Sequence, residues 1–551
     1  MWWTEMFRQE IFIANGFTEA ADEEGDTNTT LSKFLETIAT ARKLRRLSRN
    51  ELVVVVSANV EFVKSFAEYS LKGRLLVWSS RFILVTKLPV LNLQQLLMNH
   101  WTFLMMNAMA INSEMILGRT RWSVYTAMPY SPKGKQITRV ASWTQDKGLK
   151  FLTSFGVFPE KFTNFYGAEV NISVLTYSPY WTTTQTTNSD GTVTESYKGS
   201  DAMFMAAIAK ALNFKIYNVP AESWDDVAKK VHERKAFMSP IVHFVFPQRM
   251  DRYDYSYPYE LAPMVFCASK PALKPSWQSL YYPFAGDVWL AILIVLILFP
   301  VVLLMSLSNK LSAADSFRVL TTSWLVFAFI IGTAYRGNLT AWLTLPKYPP
   351  RAETISDLIR VADRVTSPPY GEEFRTFFQQ SSSPEFKRLA QLMDVGPTVL
   401  EGLQRASNSR EAYLDEKRYI EHNIARHFTR ADGSTGLYLG RESILPGLAA
   451  WPMSFDAPFR PQIDSLMMAV LEAGLYNKWS ADTIEEARLE GQKQKKREEK
   501  INNEDGGNST ANQALTITHM QGLFILLLSG LLMATLSFIT ELFIVKFYGK
   551  P

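Results

Sequence analysis

RVLTTSWLVFAFIIGTAYRGNLTAWLTLP, Arg318 to Pro346, decides how the chain is to be read. Val319–Ile331 is nearly all apolar, Gly332–Asn338 is small and polar, Leu339–Leu345 is apolar again, and Pro346 ends the run. As one helix rising roughly 1.5 Å per residue it would reach about 42 Å, more than a hydrocarbon core of about 30 Å needs. A charge inside such a helix costs roughly 2.5–3.5 kcal/mol on insertion scales, so Arg336 must face protein or water. Small and polar neighbours let helices approach closely. The stretch either lines something or is an anchor whose polar residues hold adjacent helices.

Two other runs have membrane character. One covers 284–307 and carries no charge from Val288 to Met305. The other covers 523–545 and holds a single acid, Glu541, with Lys546 and Lys550 just beyond it. Between the first run and the opening stretch lies only a short loop, 308–317. Elsewhere the pattern is α/β. Glu51–Ala58 reads as a strand buried on both sides, Leu75–Trp78 and Phe82–Val85 as further strands, and Leu91–Met106 as helical. This alternation predicts a parallel sheet. From Gly167 the order is strand (Asn171–Thr176), polar loop (Thr182–Glu195), helix (Ala202–Leu212) and strand (Asn213–Asn218). After Pro349-Pro350 a helix starts at Thr354, and helical spacing returns over Ile463–Trp479, followed by a charged, solvated helix over Ile484–Asn503.

Ala334–Thr344, AYRGNLTAWLT, resembles the gate helix of ionotropic glutamate receptors, and still more that of the arthropod variant ionotropic receptors. The resemblance implies a periplasmic-binding-protein-like α/β clamshell split by membrane helices, with three transmembrane α-helices and a partial α/β amino-terminal domain. The implied layout is an amino-terminal domain at 1–160, a first binding segment at 167–282, a first membrane helix at 284–307, a cytoplasmic loop at 308–317, a gate helix at 318–345, a second binding segment at 350–520, a last membrane helix at 523–545 and a cytoplasmic tail at 546–551. The gate would be formed by Tyr335, Arg336, Gly337, Asn338, Leu339, Thr340 and Ala341. The family places a re-entrant pore loop between its first two helices. The loop at 308–317 is too short for it, because irregular backbone at membrane depth must line a cavity.

The same resemblance assigns ligand contacts. Arg249–Tyr259, RMDRYDYSYPY, carries the family's arginine and Asp-x-Ser-x-Pro run, so Arg249 is the candidate grip for a ligand carboxylate, its planar fork suiting bidentate contact. On its residues alone, Arg249 better fits a rim arginine paired with Asp251 or Asp254. Where the family puts a small hydroxyl residue, five positions earlier, this chain has Phe244. In the second segment, Glu416 matches the acid that holds the ligand's amine, with Asp415 one residue away. The alternative is a solvated acid beside Lys417 and Arg418. At Pro369–Phe374 the family's Ser-Thr pair gives way to Glu372 and Glu373, which also suit a helix start.

Composition bounds the rest. The 551 residues are 47% hydrophobic and 20% charged, the net charge of +5 is dispersed, and no nucleic-acid footprint stands out. The single cysteine, Cys267, excludes an intrachain disulfide. No phosphate loop, nucleophile elbow or metal-spaced Cys/His cluster is seen, so no enzyme, cofactor or metal is expected. Met1–Met6 lacks the basic start and apolar core of a secretory signal. Sequons at Asn28, Asn171 and Asn508 fall in the outer segments and are candidate glycosylation sites. The expectation is a multi-pass plasma-membrane subunit with extracellular binding segments and a cytoplasmic C-terminus. It would join co-receptor subunits in a hetero-tetramer, take a small carboxylate or amine ligand, and gate cations in a chemosensory role. The alternative is a non-conducting receptor or regulatory partner without its own pore loop.

Overall fold

The computed structural model describes residues 36, 38–43, 52–116, 118–187, 193–271, 281, 283–308, 315–344, 350–504 and 517–548. Asn28, Asn508, most of the 308–317 loop, Pro346 and the end of the tail lie outside them.

The N-terminal unit begins as β1 (Leu52–Val56), α1 (Val60–Lys72), β2 (Arg81–Thr86), α2 (Val90–Asn99), α3 (Trp101–Leu104) and β3 (Asn107–Ile116). Asn59 starts α1 by accepting from the N–H groups of Glu61 (2.9 Å) and Phe62 (3.3 Å). The three strands are parallel. β4 (Arg119–Met128), β5 (Gln136–Thr144) and β6 (Gly148–Phe151) then return antiparallel. The sheet is therefore mixed, not parallel as the alternation predicts. Its reversals use left-handed backbone at Gly118 (φ 72°) and Gly148 (φ 64°), where a side chain would be strained. β1 is not buried on both sides: among the described residues it bonds only β2, and Leu52, Val54 and Val56 are exposed. Leu75–Trp78 is not a strand. The chain reverses at Arg74 (φ 54°), and Leu75 and Leu76 enter the core from irregular backbone.

The next unit pairs β7 (Glu169–Ile172) with β10 (Lys215–Asn218) in parallel, and β12 (Asp254–Tyr255) with β19 (Pro452–Met453) antiparallel. Single bridges from Met238 to Ile172 and to Met453 join the pairs. The expected polar loop is a hairpin, β8 (Thr182–Thr187) and β9 (Val193–Lys198). Its threonines are β-branched and favour extended backbone despite their polarity. Helices α4 (Ser200–Leu212) and α5 (Trp224–His232) complete the part before the membrane helices.

A larger sheet takes strands from both sides of those helices. β11 (His243–Phe244) and β13 (Glu260–Ser269) precede them. β14 (Arg364–Ser367), β15 (Met393–Val395), β16 (Glu411–Glu416), β17 (Leu437–Leu439) and β18 (Leu445–Ala450) follow them. The order is β11-β18-β13-β16-β14-β15, with β17 also on β13.

Membrane-length helices are α6 (Gly286–Ser308) and α7 (Asp315–Thr344), which continues unbroken through the small polar turn. Among the described residues, three apolar spans are long enough to cross a membrane: Gly286–Met305, Arg318–Ala341 and Leu527–Ile544. After α7 come α8 (Ile355–Val361), α9 (Glu372–Gln380), α10 (Pro384–Leu392), α11 (Val399–Asn408), α12 (Lys417–His427), α13 (Arg460–Glu472), α14 (Leu475–Glu504) and α15 (Ile517–Tyr548), which holds the third span. The expected helix over Ile463–Trp479 breaks at Gly474 (φ 69°), and its second half runs straight into the charged segment. That segment is not solvated all round: Ala487 is buried, and Gly491 lies against the carbonyls of Ala425 and Arg426 at the end of α12.

One buried core links Phe66, Phe82 and Phe103 of the N-terminal unit to Phe204, Trp451, Phe459 and Tyr476. It crosses the expected boundary near residue 160 without a break.

Candidate functional site

A cavity of about 300 Å³ is lined by residues from both sides of the α6–α7 pair in sequence. The segment before the pair supplies Tyr177, Trp224, His243, Phe244, Arg249 and Tyr253. The segment after it supplies Pro369, Tyr370, Glu372, Glu373, Phe374 and Glu416. All three sequence-predicted ligand contacts, Arg249, Phe244 and Glu416, line it.

Arg249 sits in a 3-10 turn, Pro247–Asp251, directly after β11. Its side chain is largely buried, and its guanidinium lies 5.3 Å from the Phe246 ring centroid. It donates to the Phe244 carbonyl (3.4 Å) and to the Glu373 carboxylate across the cavity. Its carboxylate partner is therefore neither Asp251 nor Asp254. Asp254 instead bonds Arg74 of the N-terminal unit at 3.2 Å. Glu373 faces the cavity because it is the second residue of α9, just after the buried Gly371, whose missing side chain leaves room for Ser367.

Phe244 puts an aromatic ring on the cavity wall. It meets Phe374 edge-on at 5.5 Å. Phe244 pairs with Ala449 of β18, and its ring lies over Gly447 two residues earlier, where any Cβ would fall 2.1 Å from it. The large residue at 244 thus depends on an empty position at 447.

Glu416 ends β16 and is buried, not solvated. It caps α12, accepting from the N–H groups of Arg418 and Tyr419, both at 2.8 Å. Burial pushes its pKa up to about 8, against those hydrogen bonds. Asp415 is buried too, and burial raises it to about 6. It accepts from Tyr370 (2.8 Å), Tyr413 (2.9 Å) and the Glu416 N–H (2.8 Å). A chain of hydroxyls closes the cavity floor: Tyr177 meets Tyr370 at 3.2 Å, and Tyr370 donates to Asp415. Tyr177 also stacks on Tyr419 at 4.2 Å and meets Trp224 edge-on at 5.6 Å. His243 is buried under Trp224, and desolvation with the nearby Arg249 charge lowers its pKa to about 3, so it is neutral.

The sequence reading does not single out Tyr177, Trp224, Tyr370 or Glu373 as contacts. Tyr177 lies in a Tyr-Ser-Pro-Tyr-Trp run and Glu373 in the acidic replacement of the Ser-Thr pair, so both carry a signal; Trp224 carries none.

The gate candidates lie together on α7. Tyr335 packs between Phe284 (5.8 Å) and Trp289 (6.1 Å) at the start of α6. Asn338 donates to the Pro283 carbonyl at 3.1 Å. Arg336 turns back along its own helix to the Gly332 carbonyl at 3.3 Å, and Thr340 donates to the Arg336 carbonyl at 2.9 Å. Gly337 has open space around it. Leu339 is partly buried and Ala341 exposed. Asn171 is exposed on β7, its amide donating to the Lys235 carbonyl at 3.2 Å. Among the described residues, no group of three His, Cys, Asp or Glu is arranged to hold a metal.

Residues 297–531 match the model of a family described as Ligand-gated ion channel. Ionotropic receptor 21a of Drosophila melanogaster is 23% identical over 452 residues, 72% of this chain and 53% of that protein. Ionotropic receptor 93a of the same organism is 21% identical over 464 residues, 73% of this chain and 51% of that protein. A kainate-type ionotropic glutamate receptor of Caenorhabditis elegans, glr-3, is 33% identical over 122 residues, 20% of this chain and 14% of that protein. The chain thus spans about half the length of the two ionotropic receptors.

Proposed function

We propose that the chain is a variant ionotropic receptor of the ionotropic glutamate receptor superfamily, a family of ligand-gated ion channels, and that it acts as a chemosensory subunit of a ligand-gated cation channel. The supporting observation is the origin of the cavity walls. Tyr177 to Tyr253 precede the α6–α7 pair, and Pro369 to Glu416 follow it. In this reading the two binding units are the halves of a clamshell that a small molecule closes. A ligand that binds the closed form more tightly shifts the population toward it. Closure pulls on the ends of α6 and α7, and the gate at Tyr335–Ala341 moves against its contacts with Phe284 and Pro283. The domain boundaries at 160, 282, 307, 345 and 520, the extracellular position of both binding segments, the plasma-membrane location with a cytoplasmic C-terminus, glycosylation at Asn171, and assembly with co-receptor subunits as a hetero-tetramer all belong to this reading.

A second reading rests on one sequence feature. Only residues 309–314 separate α6 from α7, too few for a re-entrant filter. A regulatory subunit whose assembly takes its filter from partner chains fits that shortness. Single-channel recording with a co-receptor separates the two. Ligand-evoked openings that shift in conductance when Asn338 is changed to alanine support the channel subunit. Silence at normal surface expression favours the regulatory partner.

A further inference from the structure

The cavity differs from an amino-acid site in where its charges go. Each of its two arginines already has a carboxylate: Arg249 holds Glu373, and Arg252 holds Asp225 at 3.0 Å. Glu372 leans on Arg375, outside the cavity wall, at 3.5 Å. The lining therefore carries four carboxyl groups, Asp225, Glu372, Glu373 and Glu416, against two guanidinium groups; Glu416, raised to about 8 by burial, and His243 add no charge near neutral pH. A ligand carboxylate entering here would have to displace Glu373 from Arg249 and leave that acid unpaired in a wall that also holds Asp225 and Glu372. The remaining wall is aromatic: Tyr177, Trp224, Tyr253 and Tyr370, with Phe244 and Phe374. Aromatic faces attract cations through the ring quadrupole, and more strongly when water is excluded.

We infer that Glu373 acts as a built-in carboxylate for Arg249, and that the cavity takes a small organic cation with an apolar body and no carboxylate. The ion pair also spans the two units, since Arg249 precedes the membrane helices and Glu373 follows them. The place that a zwitterionic ligand would bridge is bridged by the protein itself. This inference rests on reading the cavity as the receptor's ligand site.

The test uses the full chain in lipid nanodiscs and titrates two probes of matched shape, phenethylammonium and 3-phenylpropanoate. The expected result is binding of the cation at least about tenfold tighter than the anion. In Glu373→Gln, Arg249 loses its partner, so anion affinity rises and the preference shrinks or inverts. Equal or tighter binding of 3-phenylpropanoate by the unaltered chain overturns the inference, as does the absence of saturable binding by either probe at millimolar concentration. An unchanged preference in Glu373→Gln removes the role given to that residue. The readout is binding, not current. A chain that binds phenethylammonium but passes no ions sinks the channel reading and leaves this one standing.

Discussion

At Glu416 two demands oppose each other. The N-terminus of α12 favours a carboxylate, while burial disfavours its charge. Burial wins, and the group titrates near 8 in the folded chain against 4.5 when unperturbed. Its folded pKa is the higher one, so the folded state binds more protons than the unfolded state between those values. Stability therefore falls as pH rises through that window, with a limiting slope of about 1.4 kcal/mol per pH unit for one proton. His243 has the opposite sign. Its folded pKa of about 3 lies below the ordinary 6.5, so its contribution makes stability rise between those values. The two oppose each other below about 6.5, and from about 7 upward buried Lys161, held to about 7 by desolvation against its ordinary 10.5, opposes Glu416 in turn. We expect Glu416→Gln, whose amide oxygen still caps the helix, to make the melting temperature rise more steeply from pH 6.5 to 8 than it does in the unaltered chain. An unchanged slope in the variant would assign it to other buried groups, Lys161 and Asp201 first among them. Residue-scale legibility was uneven for a plain reason. Arg249 announces itself through its neighbours in sequence, whereas its partner Glu373 lies 124 positions away and is identified only by the fold.

Among the elements, helices with capping residues and apolar stripes were legible, because both signals are local. Thr354 caps α8, and α2 buries Leu93, Leu96 and Leu97 on one face. What escaped depends on partners or on backbone sign. The β8–β9 hairpin has polar threonines where a strand reading looks for apolar ones. The break at Gly474 is a single left-handed residue in otherwise continuous helical spacing. Glycine at such positions also orders two substitutions by cost. Gly474 has φ 69°, and a Cβ added there would meet nothing within 4 Å, so Gly474→Ala costs only the left-handed strain, about 1–2 kcal/mol. Gly199 joins β9 to α4 at φ 119°, and a Cβ there would lie 2.3 Å from the Tyr180 carbonyl oxygen, beneath the Tyr177 wall of the cavity. Gly199→Ala should lower the melting temperature more than Gly474→Ala and weaken binding at the cavity, which Gly474→Ala should spare. Thermal unfolding and probe titration on both variants check the order; equal shifts would mean that the hairpin yields without moving Tyr180.

For the molecule as a whole, composition and the three apolar runs made a membrane-embedded α/β protein legible, but not how its parts meet. The N-terminal unit is joined to the binding units by shared core and by aromatic contacts such as Trp101 on Phe237 at 5.9 Å and Phe162 on Phe459 at 6.0 Å. Arg74 is the polar centre of that junction. It reaches Asp456 at 3.0 Å and Asp254 at 3.2 Å, and its guanidinium lies 3.9 Å from the Phe455 ring centroid. Asp456 is 8% exposed, so removing its partner leaves a buried carboxylate unpaired, a loss of about 3 kcal/mol or more by analogy with broken buried pairs. Arg119 offers the control: it pairs with Asp146 at 2.5 Å, but with side chains 81% and 60% exposed, and such pairs contribute at most about 1 kcal/mol. Arg74→Ala should therefore lower the melting temperature well beyond Arg119→Ala and speed proteolysis between residues 145 and 168, where the chain passes from one unit to the next. Asp254 follows the Arg249 turn by three residues, so a loosened junction should also reach the cavity and weaken probe binding. If Arg74→Ala matches Arg119→Ala in both readouts, the apolar core alone holds the N-terminal unit in place, and the polar bridge to the binding segment carries no coupling.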